Sequence, residues 1–388
     1  MLRARSLLLR RSFATSTAAP VPIESTRMSY ADIIDDDGGP RGRWLNHGPI
    51  LERMDVLGFA ISAKLTKGPA ATISLDQVRS HRPVFHGDLF RLEGQVLNAS
   101  RSATSIQITG YRVDVLTGDI QHTHDAIITL VAIDGQGRPR PSLPPMTSSV
   151  DPAMMEDRAE KAQQRKELAA RWNAVQEEVD ALPRVTADML QEFELSKYRQ
   201  AFVPVRDTLV EVQNWFMPKH LNNNNTIFGG DLLQWMDKVA GFCAKKFCKN
   251  VNIATISVNR ISFKSPVTTE DIVSMRAHVV SVRRHTLEVE VEVFVERMGS
   301  GEKKKSHSGY FTCVNLDAAQ RPTFIKTGLT VNEDDQEGMR YLLKAQKRWE
   351  FDLEGQHLHQ FPPLPLSNNE FPVPFSTRHS QHKTTIKI

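Results

Sequence analysis

The stretch NNNNTIFGGDLLQWMD, residues 222–237, sets two glycines and a carboxylate close together, groups that can polarise a carbonyl and accept a proton. Leu232, Met236, Val239 or Ala240, Cys243 and Phe247 recur at steps of three and four, one apolar stripe of a helix predicted over Ile227 to Phe247. Gly229 and Gly230 then fall in its first turn, where backbone N–H groups lack helical partners and the missing Cβ lets a ligand come close. A helix start of this kind stabilises a polarised carbonyl or a developing oxyanion. Asp237 lies seven residues beyond Gly230, about 10 Å along the axis. It is too far away to serve its own helix start. It serves a second helix start only if another helix runs antiparallel beside it.

The chain supplies that second helix, because it contains itself twice. Residues 71–134 recur without a gap as residues 254–317, with ATISLDQVRSHRPV facing ATISVNRISFKSPV. Upstream, one residue out of step, ILERMDVLG from Ile50 faces LLQWMDKVA from Leu232, so that Asp55 matches Asp237. A repeat this long is a duplicated domain rather than a solenoid period. Two like domains pair about a pseudo-twofold axis, and a site at their junction draws on both.

Each copy reads as a strand, a long helix and four further strands. In the second copy the strands are Thr208–Met217, Ala254–Phe263, Ile272–Arg283, Thr286–Glu296 and Ser306–Leu316. LEVEVEVFVE alternates as a strand with one buried face. The apolar phase flips between Leu75 and Val78 and again between Val258 and Ile261, a shared slip that predicts a β-bulge in both copies. The fold class is therefore α+β, an antiparallel sheet wrapped around one long helix, made twice. Between the copies, Gly135–Pro152 reads as a loop. Asp157–Leu182 reads as a charged helix with Leu168, Trp172, Val175 and Val179 on one stripe. Beyond about Arg321 the periodicity fades, and Phe361–Phe375, with its five prolines, reads as loose chain or a packed strap. The expected boundaries are 24–138 and 204–322 for the two domains, 139–203 for the linker and 323–388 for a C-terminal extension.

Lys and Arg number 49 against 45 Asp and Glu. Arg3, Arg5, Arg10 and Arg11 sit in the first twenty residues, which hold no acidic side chain, so the rest is balanced. That balance argues against a nucleic-acid surface. Residues 1–20, rich in Arg and Ser, read as a mitochondrial transit peptide and predict a matrix location. No apolar run is long enough for an integral membrane segment. Cys243, Cys248 and Cys313 form no CxxC and lie among apolar residues, which suggests buried thiols in a reducing compartment.

The IFGGDLLQWMDKVAGFCA stretch, the ATISVNRISFKSPV strand and the duplicated plan resemble acyl-CoA thioesterases with two hotdog domains in tandem. With ILERMDVLGFAISA and the transit peptide, the chain is most similar to the mitochondrial acyl-CoA thioesterase 9 subgroup. The resemblance covers roughly residues 30–134 and 205–341. It implies hydrolysis of acyl-CoA to free acid and CoA at the domain interface, with no metal, no cofactor and no covalent nucleophile. A carboxylate on one copy's helix activates water, and an Asn side chain with backbone N–H groups near the other helix start holds the carbonyl. Asp237 matches the family's base, and Asn46 is the nearest candidate for its partner. Thr226 stands at the corresponding place in the second copy, beside Gly229 and Gly230. His47-Gly48-Pro49 faces Phe228-Gly229-Gly230, so the first copy is expected to lack the second glycine. Asp237 with Asn46 is the favoured pairing. The opposite one, Asp55 facing Gly229 and Gly230, stays open, with one live site rather than two. The resemblance also implies a homo-oligomer, a trimer of double domains or a simple dimer.

Phosphates of CoA need cations, and Arg283, Arg284 and the repeat-matched Arg101 at predicted turns are the candidates. His122 and His124, or His357 and His359, each offer two metal ligands on one strand face but no evident third. No GxSxG, GxxxxGK[ST] or GxGxxG occurs. A hotdog dehydratase, using His47 with a carboxylate, and a non-catalytic acyl-CoA sensor are the alternatives. Acyl chain length is not legible in the sequence.

Overall fold

The computed structural model describes residues 19–34, 43–114, 117–141, 143–190, 198–299 and 301–367. Nearly all of the expected transit peptide, and the end of the C-terminal extension, lie outside the described residues. The first half comprises β1 (Met28–Ile33), α1 (His47–Thr66), β2 (Ala70–Ser80), β3 (Leu89–Ala99), β4 (Ala103–Val113) and β5 (Ile120–Ala132). A 29-residue helix, α2 (Ala153–Ala181), follows. The second half repeats the order: β6 (Val210–Trp215), α3 (Gly229–Cys248), β7 (Ile253–Phe263), β8 (Asp271–Val282), β9 (Thr286–Arg297) and β10 (Lys303–Asn315), before α4 (Gln336–Glu354).

The strands form one antiparallel ten-stranded sheet in the order β1-β3-β4-β5-β2-β7-β10-β9-β8-β6. Its halves are mirror-ordered and meet where β2 pairs with β7. There Leu75 lies opposite Ile261 and Val78 opposite Val258. Since Leu75 matches Val258 and Val78 matches Ile261 in the repeat, each pairing exchanges position and copy, the signature of a twofold relation. Register shifts at Thr72/Ser74 and Leu75/Gln77 have counterparts at Thr255/Ser257 and Asn259/Ser262. The phase slip in the sequence is thus a pair of bulges that bends both central strands.

α1 and α3 lie on the inner face. Ile50, Leu51, Met54, Leu57 and Ile61 of α1 and Leu232, Leu233, Met236, Val239 and Ala240 of α3 are buried in one continuous core with both halves of the sheet. Both helices are 20 residues long, and each ends on a lysine in the left-handed region, Lys67 and Lys249. Close approach of α1 to the sheet depends on Gly94 of β3. A Cβ there would stand 2.5 Å from Ile61 Cδ1 and 3.1 Å from Leu57 Cδ2. Gly94→Ala should therefore overpack this layer and cost about 1–3 kcal/mol, read as a lowered denaturation midpoint.

The outer face is covered by chain that the sequence describes poorly. α2 crosses it, with Trp172 edge-on to Tyr310 of β10 and Leu168 packed with Phe351 and Leu358. The second half lies under α4, an element the fading periodicity hid. Its Asp335 N-cap accepts from Gly338 N, and its buried Arg348 pairs with Glu288 at 2.7 Å while lying 3.9 Å over the Tyr310 ring. Over the first half lies a proline strap. Gln107 Nε2 donates to Pro362 O, Tyr111 Oη to Leu364 O, and Leu364 N to Thr109 Oγ1. Proline donates no N–H, so the strap's prolines can only accept, and the backbone donor among these bonds is the intervening Leu364.

Candidate active site

The two inner helices pair so that each one's second residue meets the other's ninth. Gly48, second in α1, donates its N–H to Asp237 Oδ2 of α3 at 2.8 Å. Gly230, second in α3, donates its N–H to Asp55 of α1. Each aspartate thus reaches across the pseudo-twofold to the opposite helix start. The second carboxylate oxygen is held from the central strand of its own half. Thr72 Oγ1 donates to Asp55 Oδ1 at 2.6 Å, and Thr255 Oγ1 donates to Asp237 Oδ1 at 2.7 Å. Thr72 and Thr255 occupy one position of the repeated ATIS motif. That identity was visible in the sequence, but a threonine in a strand reads as ordinary β-propensity.

This pairing corrects the register of the helix starts. Gly48 faces an aspartate as Gly230 does, so the glycine whose N–H meets the carboxylate is present in both copies. The first copy lacks instead the counterpart of Gly229, where His47 stands. Asn46 is the N-cap of α1, as Phe228 is of α3, and makes no side-chain capping bond. It opens onto a polar cavity of about 190 Å³ lined by Arg43, His86, Lys245, Asn252 and Gln320.

The two helix starts are unequal. At α3, Gly229, Gly230 and Asp231 all carry N–H groups, whereas Pro49 removes one from the first turn of α1. A Cβ at Gly229 would stand 3.0 Å from Asp55 Oδ2, so only glycine leaves the carboxylate unobstructed. The approach loop is folded by Asn222, which the sequence-based candidates omit. Its Oδ1 accepts from Asn224 N and Thr226 N, and its Nδ2 donates to Thr226 Oγ1. Asn224 Nδ2 donates to Ala70 O at 3.3 Å, two residues before Thr72. Thr226 therefore belongs to the Asp55 side, as part of the loop clasp.

Burial pushes the Asp55 carboxyl up from 3.8 to about 6, opposed by the hydrogen bonds from Thr72 and Gly230 N–H and assisted by nearby Glu52 and Asp231. A carboxylate with this titration takes a proton readily near neutrality yet is largely ionised there. Thr72→Val removes a donor that favours the ionised form. The Asp55 titration, followed by carboxyl NMR, should then move up by about one pH unit.

His47 has no such role in view. Its ring is buried, meets His124 edge-on at 5.1 Å between centroids, and burial lowers its titration to about 4. Arg283 turns away from the helix starts, with its guanidinium 3.6 Å from the Trp349 ring centroid under α4. Arg284 and Arg101 stand exposed on the turns β8–β9 and β3–β4. The expected cationic cluster is thus divided, because α4 captures one member by stacking. The three thiols are raised by burial, which disfavours thiolate chemistry.

The chain spans about half of mouse acyl-coenzyme A thioesterase 11, with 22% identity over 317 residues, 81% of this chain and 51% of that one. It is 33% identical over 106 residues to an uncharacterized acyl-CoA thioester hydrolase of Zymomonas mobilis, 27% of this chain and 70% of that one. Among solved structures, an acyl-CoA hydrolase from Bacillus cereus aligns at 28% identity and a TM-score of 0.35, over 40% of this chain and 94% of the other. A family model described as the thioesterase superfamily matches twice, at residues 44–118 and 224–302. Each match contains one helix start and its aspartate, and on that ground, with the Zymomonas relative, the chain belongs to the thioesterase superfamily.

Proposed function

We propose that the chain hydrolyses acyl-CoA thioesters at the start of α3, with Asp55 as general base. The supporting observation is the Asp55 carboxylate held at the opposite helix's Gly230 N–H, beside the unobstructed Gly229. Water attacks the thioester carbon while Asp55 accepts its proton. N–H groups in the first turn of α3 take the developing oxyanion, and collapse expels the CoA thiolate, which recovers the proton from Asp55. A thioester is already activated, so a base worth about 10²–10⁴ and an oxyanion site suffice.

The Asp55 site is preferred to Asp237 with Asn46. Pro49 and His47 leave α1 with fewer donors and less room, while at α3 the N–H groups of Gly229 and Asp231 flank the Gly230 N–H that holds Asp55. The dehydratase alternative needs an imidazole at the carboxylate, and the His47 ring is packed into the core against His124. The finer assignments belong to the same proposal: tandem hotdog domains, the thioesterase 9 subgroup, a homo-oligomer, and import into the mitochondrial matrix directed by residues 1–20.

A CoA-release assay over acyl-CoAs from acetyl to palmitoyl, on protein lacking residues 1–20, tests the reaction and reads its chain-length preference. Turnover is expected. Tight acyl-CoA binding without any release of CoA would replace the hydrolase with the sensor.

A further inference from the structure

We propose that His81, His122 and Asp125 form a divalent transition-metal site, with Zn²⁺ its ordinary occupant, on the outer face of the sheet. His81 follows the end of β2, and His122 and Asp125 lie on β5. One ligand atom from each lies within 4.8 Å of the others. His81 Nε2 is 2.8 Å from Asp125 Oδ2, and His122 Nε2 is 3.0 Å from Asp125 Oδ1. Two imidazoles and a carboxylate are zinc ligands, and three protein ligands leave a position for water.

The second copy supplies an internal control. The same three repeat positions there are Lys264, Lys305 and Ser308, so the strands pair without any such cluster. His124, the sequence's candidate partner for His122, is buried in the core instead. The side chains of His81, His122 and Asp125 are 42%, 29% and 26% exposed, open enough for an ion to enter and for His81 to close the widest separation. Zn–N and Zn–O bonds of about 2.0–2.2 Å require that closure.

Beyond the ligands, Thr109 Oγ1 is 3.3 Å from Asp125 Oδ1 and accepts from Leu364 N. The ion would therefore tie β2, β5 and the proline strap together. Arg79, whose charge interacts with Asp125, competes with the ion for that carboxylate and repels it, which weakens binding. The cluster is on the opposite face of the sheet from Asp55, so this inference stands or falls apart from the hydrolase proposal.

The test is titration of the chelator-treated full chain with Zn²⁺ by calorimetry, and with Co²⁺ by visible absorption. One equivalent should bind, Co²⁺ should give the bands of a four- or five-coordinate site, and Zn²⁺ excess should raise Tm. Asp125→Asn and the double substitution His81→Gln, His122→Gln should each weaken binding at least about tenfold while CoA release is unchanged. Binding that survives both variants, or a six-coordinate aqua-like cobalt spectrum in the unaltered chain, overturns the proposal. The cobalt spectrum decides the matter even where a variant fails to fold.

Discussion

Asp55→Asn should lower kcat for acyl-CoA hydrolysis by about 10²–10⁴, the usual worth of a positioned general base, while Asp237→Asn should cost far less. The two substitutions are near-isosteric and sit at matched positions of the two helices, so comparing them separates chemistry from packing. In the Asp55 variant the amide oxygen still accepts from Thr72 or Gly230 N–H, but the amide nitrogen meets the other donor. The fold loses at most one hydrogen bond, about 1–3 kcal/mol. A larger loss for Asp237→Asn would return the base to α3 and the carbonyl to the α1 start with Asn46.

The pH dependence has a definite sign. The ionised carboxylate is the active form, so kcat/KM for the unaltered chain should fall as pH drops through about 6. Stability runs the other way. Folding raises this carboxyl from 3.8 to about 6, so the native chain binds the proton more tightly than the unfolded chain between those values. Stability is therefore lost as pH rises through that window, by about 3 kcal/mol across its whole width. Asp55→Asn has no such charge, and its denaturation midpoint should decline less than the unaltered chain's as pH rises from about 4 to about 7. A base that costs stability where it works is the usual trade at an active site.

Periodicity and self-similarity carry the inner half of this molecule. The α3 stripe, the alternating β9 and the shared bulges were all legible, because each is a local pattern enforced by one buried face. The outer layer was not. α4 carries Arg348, Arg340 and Lys344 among its apolar residues, and its stripe is completed by ion pairs and stacking on Tyr310, which a hydropathy pattern does not register. The strap has no periodicity at all, since its bonds come from side chains of another element. Within the site, the aspartates and Gly230 could be named from sequence. So could the register of the helix starts, since the step that matches Asp55 with Asp237 also carries Gly48 onto Gly230; setting His47-Gly48-Pro49 against Phe228-Gly229-Gly230 departs from that step by one residue. Thr72 and His81 act on Asp55 and Asp125, distant in sequence, and no spacing rule joins them; Asn222 acts on Asn224 and Thr226 in a polar loop that carries no periodicity.

Gly229→Val should reduce kcat by about 10² with little effect on KM for a short acyl-CoA, through displacement of the base alone. Gly229 is the first residue of α3 and has no positive φ, so the backbone accepts a side chain. What does not accept it is Asp55: the new Cβ would lie 3.0 Å from Oδ2 and 3.6 Å from Cγ, with Phe263 Cε1 also 3.6 Å away. The γ-methyl groups of valine extend that contact. The carboxylate then shifts off the line between Gly230 N–H and Thr72 Oγ1, the two donors that aim it. Gly48→Ala provides the contrast, because its Cβ would meet Gln234 Cγ, Cα and O at 3.0 to 3.2 Å. Backbone of the partner helix has to move there, so the expected result is lower thermal stability with a smaller change in kcat. Measured together, the pair separates a base aimed by its neighbours from one that tolerates any position in the cleft. Unchanged turnover in a well-folded Gly229→Val chain would mean that Asp55 does not act at the α3 start.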